Sequence, residues 1–154
     1  MITFASFVPH SPILIPEVGK ENLKKLKDTI QAYKNLEHDL YASKPDLVIL
    51  ISPHANSQEG EFFTINQQPK LRADFKDFGD LVTKLEFDND IGLGYQIKES
   101  CEDYFPIMLT SNKQLDYGSG VPLLYLMEHL PNTKIISIGY ADLPYGDHIK
   151  FGEL

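Results

Sequence analysis

Two histidines, His10 and His54, are the residues whose type and spacing best suit chemistry. Each directly follows a proline and lies just past an apolar run, in the segments FVPH (residues 7–10) and ISPH (residues 51–54). Neutral imidazole is the commonest metal ligand in proteins, so the matched pair indicates a metal site. The alternative is two surface histidines in loops after strands. The spacing alone leaves both interpretations open, because it is no compact motif of the His-Glu-x-x-His type.

The elements around these histidines predict how they meet. Residues 2–7 and 47–51 are apolar runs of strand length, and the second has the composition of a strand buried on both faces. Between them, residues 20–42 have the apolar period of a helix. This βαβ pattern predicts two parallel neighbouring strands about 4.8 Å apart, with both histidines at the same sheet edge. Two imidazoles at about 2.1 Å from one ion fit that spacing.

The rest of the chain predicts an α/β fold, a three-layer sandwich with a central, mainly parallel sheet. The helix over residues 20–42 is expected to pack Leu23, Leu26, Ile30 and Leu40 against that sheet. Further strands are predicted at residues 61–66, 106–109 and 134–140, and further helices at residues 88–103 and 119–130. No internal repeat or linker divides residues 1–154, so a single domain is expected. The sequence stops about two helical turns after Asp147, which predicts a domain truncated at its C-terminus.

Composition limits the classes of partner that the chain is expected to bind. The net charge is -8, from 14 Lys and Arg against 22 Asp and Glu, which disfavours nucleic acid as a partner. No apolar run approaches the roughly 18 residues needed to cross a bilayer, and residues 1–7 lack signal-peptide features, so a cytoplasmic protein with no membrane partner is expected. Cys101 is the only cysteine, which excludes an intrachain disulfide and a cysteine-cluster zinc site. The other histidines, His38, His129 and His148, are predicted on helix surfaces and not as ligands.

Three segments together resemble a known family. Residues 7–16, FVPHSPILIP, resemble the opening "PHPPLLIP" signature of class III extradiol ring-cleavage dioxygenase catalytic subunits. Residues 48–54, VILISPH, resemble the second signature, and residues 115–123, LDYGSGVPL, resemble a third, commonly "DHGxxVPL". The superfamily includes protocatechuate 4,5-dioxygenase β-subunits, DOPA-type extradiol dioxygenases and Memo-like proteins. The resemblance covers nearly the whole chain in order and identifies it as the N-terminal part of such a protein.

The resemblance implies an oxidoreductase of aromatic compound metabolism. Its cofactor would be a non-haem Fe(II) bound by two histidines and one glutamate, which leaves open positions for a catechol-type substrate and O₂. By resemblance, His10 and His54 are the histidine ligands. The family glutamate comes far downstream of these motifs, and Glu17, Glu59 and Glu61 do not match it. Family members are often oligomers, so a homo-oligomer is one expected state.

One position departs from the family. Tyr117 occupies the place where the family usually has a histidine, which is thought to lie near the substrate and to help with proton transfer. A phenol donates hydrogen bonds but is a poor base near neutral pH. A Memo-like or accessory protein without dioxygenase activity is therefore the alternative function, and a zinc-dependent hydrolase on the same two histidines is a third. Without the glutamate, the 154-residue chain is expected to bind metal weakly and to be inactive by itself.

Overall fold

Helices and strands alternate along most of the chain. The computed structural model describes residues 1–55 and 60–154. The strands there are β1 (Leu47–Ser52), β2 (Phe63–Asn66), β3 (Lys70–Phe75), β4 (Asp80–Asp88), β5 (Ile107–Thr110) and β6 (Lys134–Gly139). The α-helices are α1 (Pro16–Gly19), α2 (Lys27–Ser43), α3 (Ile91–Cys101), α4 (Tyr117–Leu126) and α5 (Tyr145–Glu153), and 3-10 turns form at Pro12–Leu14, Lys20–Lys25 and Lys76–Phe78. None of the helices in these two ranges has the length and apolarity to cross a membrane.

The central sheet has four strands in the order β1-β6-β2-β5. β1 pairs with β6 in parallel, β2 pairs with β5 in parallel, and β2 and β6 are antiparallel. The predicted α/β class with a mainly parallel central sheet is therefore confirmed. β6 lies inside the sheet, and all its residues after Lys134 are buried, as its apolar composition predicts.

Helices cover both faces of this sheet. Successive residues of a strand point to opposite faces, so neighbours on β6 show what lies on each side. Ile135 packs in a cluster with residues of α4 and of the β3–β4 hairpin. Ile136 packs in another cluster, with residues of α3 and α5. The sheet is therefore the middle of three layers, as predicted.

The long helix α2 packs differently from the prediction. Residues Lys20–Lys25 form a 3-10 turn, and α2 runs from Lys27 to Ser43, where Lys44 adopts a left-handed conformation before Pro45. The apolar side of α2 forms a cluster with α4 and with the turn after His10. That cluster includes Leu26, Ile30 and Tyr33 of α2 or its N-cap, Leu14 and Ile15 of the turn, and Val121 of α4. The expected packing of this helix against the central sheet is thus replaced by packing on α4.

The first predicted strand is wrong. Residues 2–7 form no strand, and Ile2 and Phe7 are exposed. The sheet partner of β1 is β6, so the predicted parallel pair of residues 2–7 and 47–51 is absent from the part of the chain that the structure describes. β1 consequently lies at the sheet edge, with Ile49 50% and Ile51 61% exposed. The expectation that this strand is buried on both faces is also wrong.

A β-hairpin, β3–β4, lies beside the central sheet. Its antiparallel register runs from Lys70↔Asp88 and shifts at a bulge between Asp74 and Phe75. The connecting turn places Gly79 at φ 90°, a left-handed conformation that glycine adopts without a steric penalty. The adjacent Phe78 stands at the hairpin tip and projects toward α4, where it contacts Tyr117.

Candidate metal centre

The turn that carries His10 is held by two tyrosines from the helices beneath it. The Tyr33 hydroxyl of α2 donates to the carbonyl of Pro9, the residue before His10. The Tyr125 hydroxyl of α4 donates to the carbonyl of Leu14. The two phenol rings stack with centroids 4.7 Å apart and planes at 25°. These donors anchor both ends of the turn, and the prolines in it restrict its backbone further.

Both phenols stay neutral in this position. Tyr33 is 1% exposed. Burial raises the pKa of Tyr33 well above its ordinary value, and the neighbouring Tyr125 raises it further. Burial likewise raises the pKa of Tyr125. A neutral phenol keeps its proton, so each hydroxyl remains a donor to its carbonyl.

The turn that carries His54 follows β1 directly and is held by a serine. Ser52, the last residue of β1, is 1% exposed. Its hydroxyl accepts a hydrogen bond from the backbone N–H of His54 at 3.1 Å and donates to a carboxylate oxygen of Asp116 at 2.7 Å. This relay ties the turn after β1 to the residue that begins α4.

Asp116 is the N-cap of α4. Its Oδ1 accepts from the backbone N–H of Ser119 at 2.9 Å, and its Oδ2 accepts from the Ser119 hydroxyl at 2.7 Å. This arrangement satisfies an otherwise free N–H of the first helical turn. One carboxylate therefore begins α4 and at the same time binds the serine under His54.

The first turn of α4 packs against the His54 ring. A Cβ at Gly118 would lie 2.8 Å from both His54 Cδ2 and Ser52 Oγ, which is closer than van der Waals contact allows. Only glycine fits here without a shift of the imidazole. Tyr117 stacks on the face of the His54 ring, with the two ring centroids 4.5 Å apart and the ring planes at 29°.

His10 and His54 come together as predicted, although not by the predicted strand pairing. Their Nε2 atoms lie 3.2 Å apart and their rings are nearly perpendicular, at 74° with centroids 5.1 Å apart. Two nitrogens that each lie about 2.1 Å from one ion are separated by about this distance. The two imidazoles can therefore donate to a common ion, or one can donate a proton to the other when no ion is bound.

The donor set fits a metal ion only in part. Two imidazole nitrogens converge, but no third ligand joins them: residues 1–55 and 60–154 contain no group of three His, Cys, Asp or Glu side chains that could hold a metal. Glu17 and Glu61 therefore complete no such group, and Glu59 lies outside the described residues. The two histidines fit two of the three ligand positions in the predicted iron site.

A cleft of about 670 Å³ opens beside His54 and Tyr117. This volume is in the range of small-molecule sites. The β3–β4 hairpin lines one side through Lys76 and Phe78, and the loop before α4 lines another through Lys113. The Phe78 ring meets Tyr117 edge to face, with centroids 5.3 Å apart. The cleft thus combines an aromatic wall next to the histidines with charged groups farther out.

The other histidines have partners of their own. His38 is an exposed residue of α2, with Nδ1 4.0 Å from Asp39. His129 pairs with Glu37 of α2 at 2.8 Å, and this hydrogen bond, together with the charge of Glu37, raises the pKa of His129. His148 lies in α5 and meets the Phe63 ring edge to face. It is partly buried, whereas the sequence predicted a surface position.

The supporting residues of both turns were missed from the sequence. Asp116 carries a recognisable signal, because an aspartate just before an apolar helical segment is a preferred N-cap. Ser52 shows no comparable sequence signal, apart from its position directly before Pro53. Tyr33 lies at an apolar position of the helical period over residues 20–42, and that period contains no information about the carbonyl that its hydroxyl meets. Tyr117, which the third motif singles out, begins α4 with its ring stacked on His54, and its catalytic role stays a prediction.

Comparison with known proteins adds two findings. A family model described as the catalytic LigB subunit of aromatic ring-opening dioxygenase matches residues 4–153. Protein CA_C1420 of Clostridium acetobutylicum is 26% identical over 155 aligned residues, which cover 94% of this chain and 33% of that protein. The chain therefore spans about a third of the length of this curated relative.

Proposed function

The chain belongs to the family of catalytic LigB subunits of aromatic ring-opening dioxygenase, and from this premise we propose that it contributes two histidine ligands to a non-haem Fe(II) enzyme. The full-length protein would cleave a catechol-type ring next to its two hydroxyls, by extradiol dioxygenation. Both atoms of O₂ enter the product in this reaction, so no external reductant is needed. The substrate would be a small aromatic diol, with O₂ as the second substrate.

The observation that carries this proposal is the convergence of His10 and His54. Residues 44 positions apart place their Nε2 atoms 3.2 Å from each other, and His54 lines a cleft large enough for a single aromatic ring. Two loop histidines without a shared role have no reason to meet in this way. The separate anchoring of each turn, by the buried Tyr33 for one and the buried Ser52 for the other, also supports a site whose geometry matters.

In this proposal each residue has a distinct part. His10 and His54 hold the iron, which when bound supplies a Lewis acid with open positions for the diol and O₂. Tyr117 borders the cleft with a phenol that can donate a hydrogen bond to a substrate oxygen. Tyr117 and Phe78 together give the substrate ring an aromatic surface. The third ligand, a glutamate in the family, is assigned to another segment of the full-length protein.

Oxygen uptake tests the activity. With Fe(II) and a panel of catechols, the full-length protein is expected to consume O₂ and to form a ring-opened product that carries both atoms of ¹⁸O₂. His10→Ala and His54→Ala should each abolish uptake, whereas His38→Ala, a change at an exposed histidine, should leave it unchanged. Uptake that survives both ligand substitutions would refute the site. Turnover with Zn(II) but not with Fe(II) would refute the dioxygenase.

Anaerobic titration tests the ligands separately from the activity. The 154-residue chain is expected to bind Fe(II) weakly, because two neutral imidazoles supply no negative charge. Either histidine substitution should remove that binding. Tight binding that persists in the double variant would place the metal elsewhere. Tight binding that either substitution removes would show that a third ligand lies within this chain.

A Memo-like or accessory protein without dioxygenase activity is the second candidate, and Tyr117 favours it. The phenol stacks on His54 at the position where the family usually has a histidine. The Tyr117→His variant distinguishes the two functions. If the tyrosine has removed activity from a dioxygenase fold, the variant should gain oxygen uptake over the native protein. If the native protein is already an active enzyme, it should consume O₂ without the substitution, and the substitution should change only the rate of uptake.

A further inference from the structure

The carboxylate of Asp116 makes more contacts than a helix cap requires. Asp90, the N-cap of α3, provides the comparison, because its Oδ1 accepts from the Leu93 N–H at 3.0 Å and its Oδ2 accepts from Lys134 at 3.3 Å. Asp116 makes the equivalent capping bond and in addition accepts the Ser52 hydroxyl. The extra bond leads to the His54 turn, whereas the extra bond of Asp90 leads to a surface lysine.

The direction of the relay follows from the chemistry of its members. The Ser52 hydroxyl has a single proton, which it donates to Asp116 Oδ1 at 2.7 Å. The hydroxyl then presents a lone pair to the backbone N–H of His54, 3.1 Å away. Asp116 therefore determines the orientation of the Ser52 hydroxyl, and the hydroxyl holds the backbone at His54.

The same residue also positions the ring of His54. By starting α4, Asp116 places Gly118 against one part of the imidazole and Tyr117 against its face. The His10 turn is anchored by different donors, from Tyr33 and Tyr125. Loss of the Asp116 contacts should consequently release His54 while the anchors of the His10 turn remain.

We propose that Asp116 is a positioning residue for His54, which it holds through Ser52 and through the first turn of α4. The inference rests on the proposed function only in treating His54 as a metal ligand. Its direct evidence is the position of the His54 ring, which can be measured without metal or substrate.

Four variants separate positioning from simple helix capping. Asp116→Ala removes the cap and the relay, whereas Asp90→Ala removes a matched cap that has no contact with either histidine turn. Ser52→Ala breaks the relay and keeps the cap of α4. Asp116→Asn keeps an oxygen that can accept from Ser52 and from the Ser119 N–H, so it is the conservative variant that should restore the native geometry.

The readout is the NMR signal of the imidazole rings in metal-free protein, well below the melting temperature of each variant. In the native protein we expect a nuclear Overhauser contact between the His10 and His54 rings, and an upfield ring-current shift of His54 from the stacked Tyr117. Both signals should weaken in Asp116→Ala and in Ser52→Ala, and both should persist in Asp90→Ala and in Asp116→Asn. A Zn(II) titration followed on the same signals should show affinity about tenfold to a hundredfold weaker for the first two variants.

The outcomes bear separately on the two proposals. Native ring contacts in folded Asp116→Ala or Ser52→Ala would overturn the positioning role, as would an equal loss in Asp90→Ala. If Asp116→Ala does not fold, Ser52→Ala and Asp116→Asn still decide the matter. Native contacts that depend on Asp116, in a protein that shows no oxygen uptake, would contradict the dioxygenase proposal and leave the positioning role intact.

Discussion

The two histidine turns differ in how the protein holds them. The His10 turn belongs to a segment that pairs with no strand in the described residues. Two of its carbonyls accept hydrogen bonds from neutral phenols, one from α2 and one from α4. The His54 turn leaves a strand of the central sheet, and a hydroxyl and a carboxylate hold it. The His10 turn is thus held by aromatic side chains, and the His54 turn is held by a polar relay through Ser52 and Asp116.

The difference follows from where each turn lies in the fold. β1 already fixes the backbone up to Ser52, so one hydrogen bond to the next turn is enough to place His54. Residues 2–9 pair with no strand in the ranges 1–55 and 60–154, so the His10 turn needs anchors at both of its ends. Helix α4 contributes to both turns, through Asp116 at its start and Tyr125 near its end. The separation between the two imidazoles therefore depends on the position of this single helix.

The largest expected loss of stability comes from substitution of Tyr33, which anchors the His10 turn. Tyr33→Ala removes a fully buried ring together with its hydroxyl, and we expect a loss of about 3–5 kcal/mol in the free energy of unfolding. Tyr33→Phe isolates the hydrogen bond to Pro9 and should cost about 1 kcal/mol. Urea unfolding measures both. A loss for Tyr33→Ala that does not exceed that for Tyr33→Phe would show that the ring is not part of the anchor.

Gly118 tests the His54 turn with a smaller effect. Gly118→Ala places a methyl group 2.8 Å from the His54 ring and from the Ser52 hydroxyl, and such overpacking costs about 1–3 kcal/mol. The better helix propensity of alanine offsets part of that cost. Gly146→Ala is the matched control, because Gly146 is also the second residue of its helix and has open space around it. We expect that variant to be neutral or more stable in thermal unfolding. Equal behaviour of the two variants would contradict the close packing at His54.

Tyr125 provides a milder test of the His10 turn. Tyr125→Phe keeps the stacked ring and removes only the donor to Leu14, so the expected loss is about 1 kcal/mol. Its local effect should distinguish the two turns, because amide hydrogen exchange should become faster in residues 10–15 and stay unchanged in residues 52–55. Faster exchange in both segments would indicate that the turns are not held independently.

The smallest effect concerns the pair of His129 and Glu37. His129 binds Glu37 of α2, which raises the pKa of the imidazole above its ordinary value of about 6.5. Its contribution to stability is therefore complete below that ordinary value and is lost as the pH rises through the raised pKa of the folded state. Thermal unfolding between pH 5 and about 8 should show this decline, and Glu37→Gln should abolish it. A pH dependence that persists in Glu37→Gln would have to come from other groups.

The sequence predicted the convergence of His10 and His54 better than the elements that bring them together. His10 and His54 were identified because a proline-histidine pair after an apolar run is a local pattern. Whether residues 2–7 form a strand depends on a pairing partner, and β1 instead pairs with β6, more than eighty residues downstream. A short apolar run carries no information on such a choice. By contrast, residues 70–75 alternate polar and apolar side chains, a period that favours a half-buried strand, so β3 could have been predicted from the sequence.

The stacked pair of Tyr33 and Tyr125 gives the protein an optical reporter of its own. The chain contains no tryptophan, so its near-ultraviolet circular dichroism comes chiefly from its eight tyrosines. A stacked pair with centroids 4.7 Å apart, whose Tyr33 is 1% exposed, holds two of these chromophores in a fixed asymmetric arrangement and should contribute strongly to the signal. Since both phenols also bind the His10 turn, a loss of this band before the helical far-ultraviolet signal would record the release of that turn while the rest of the fold persists.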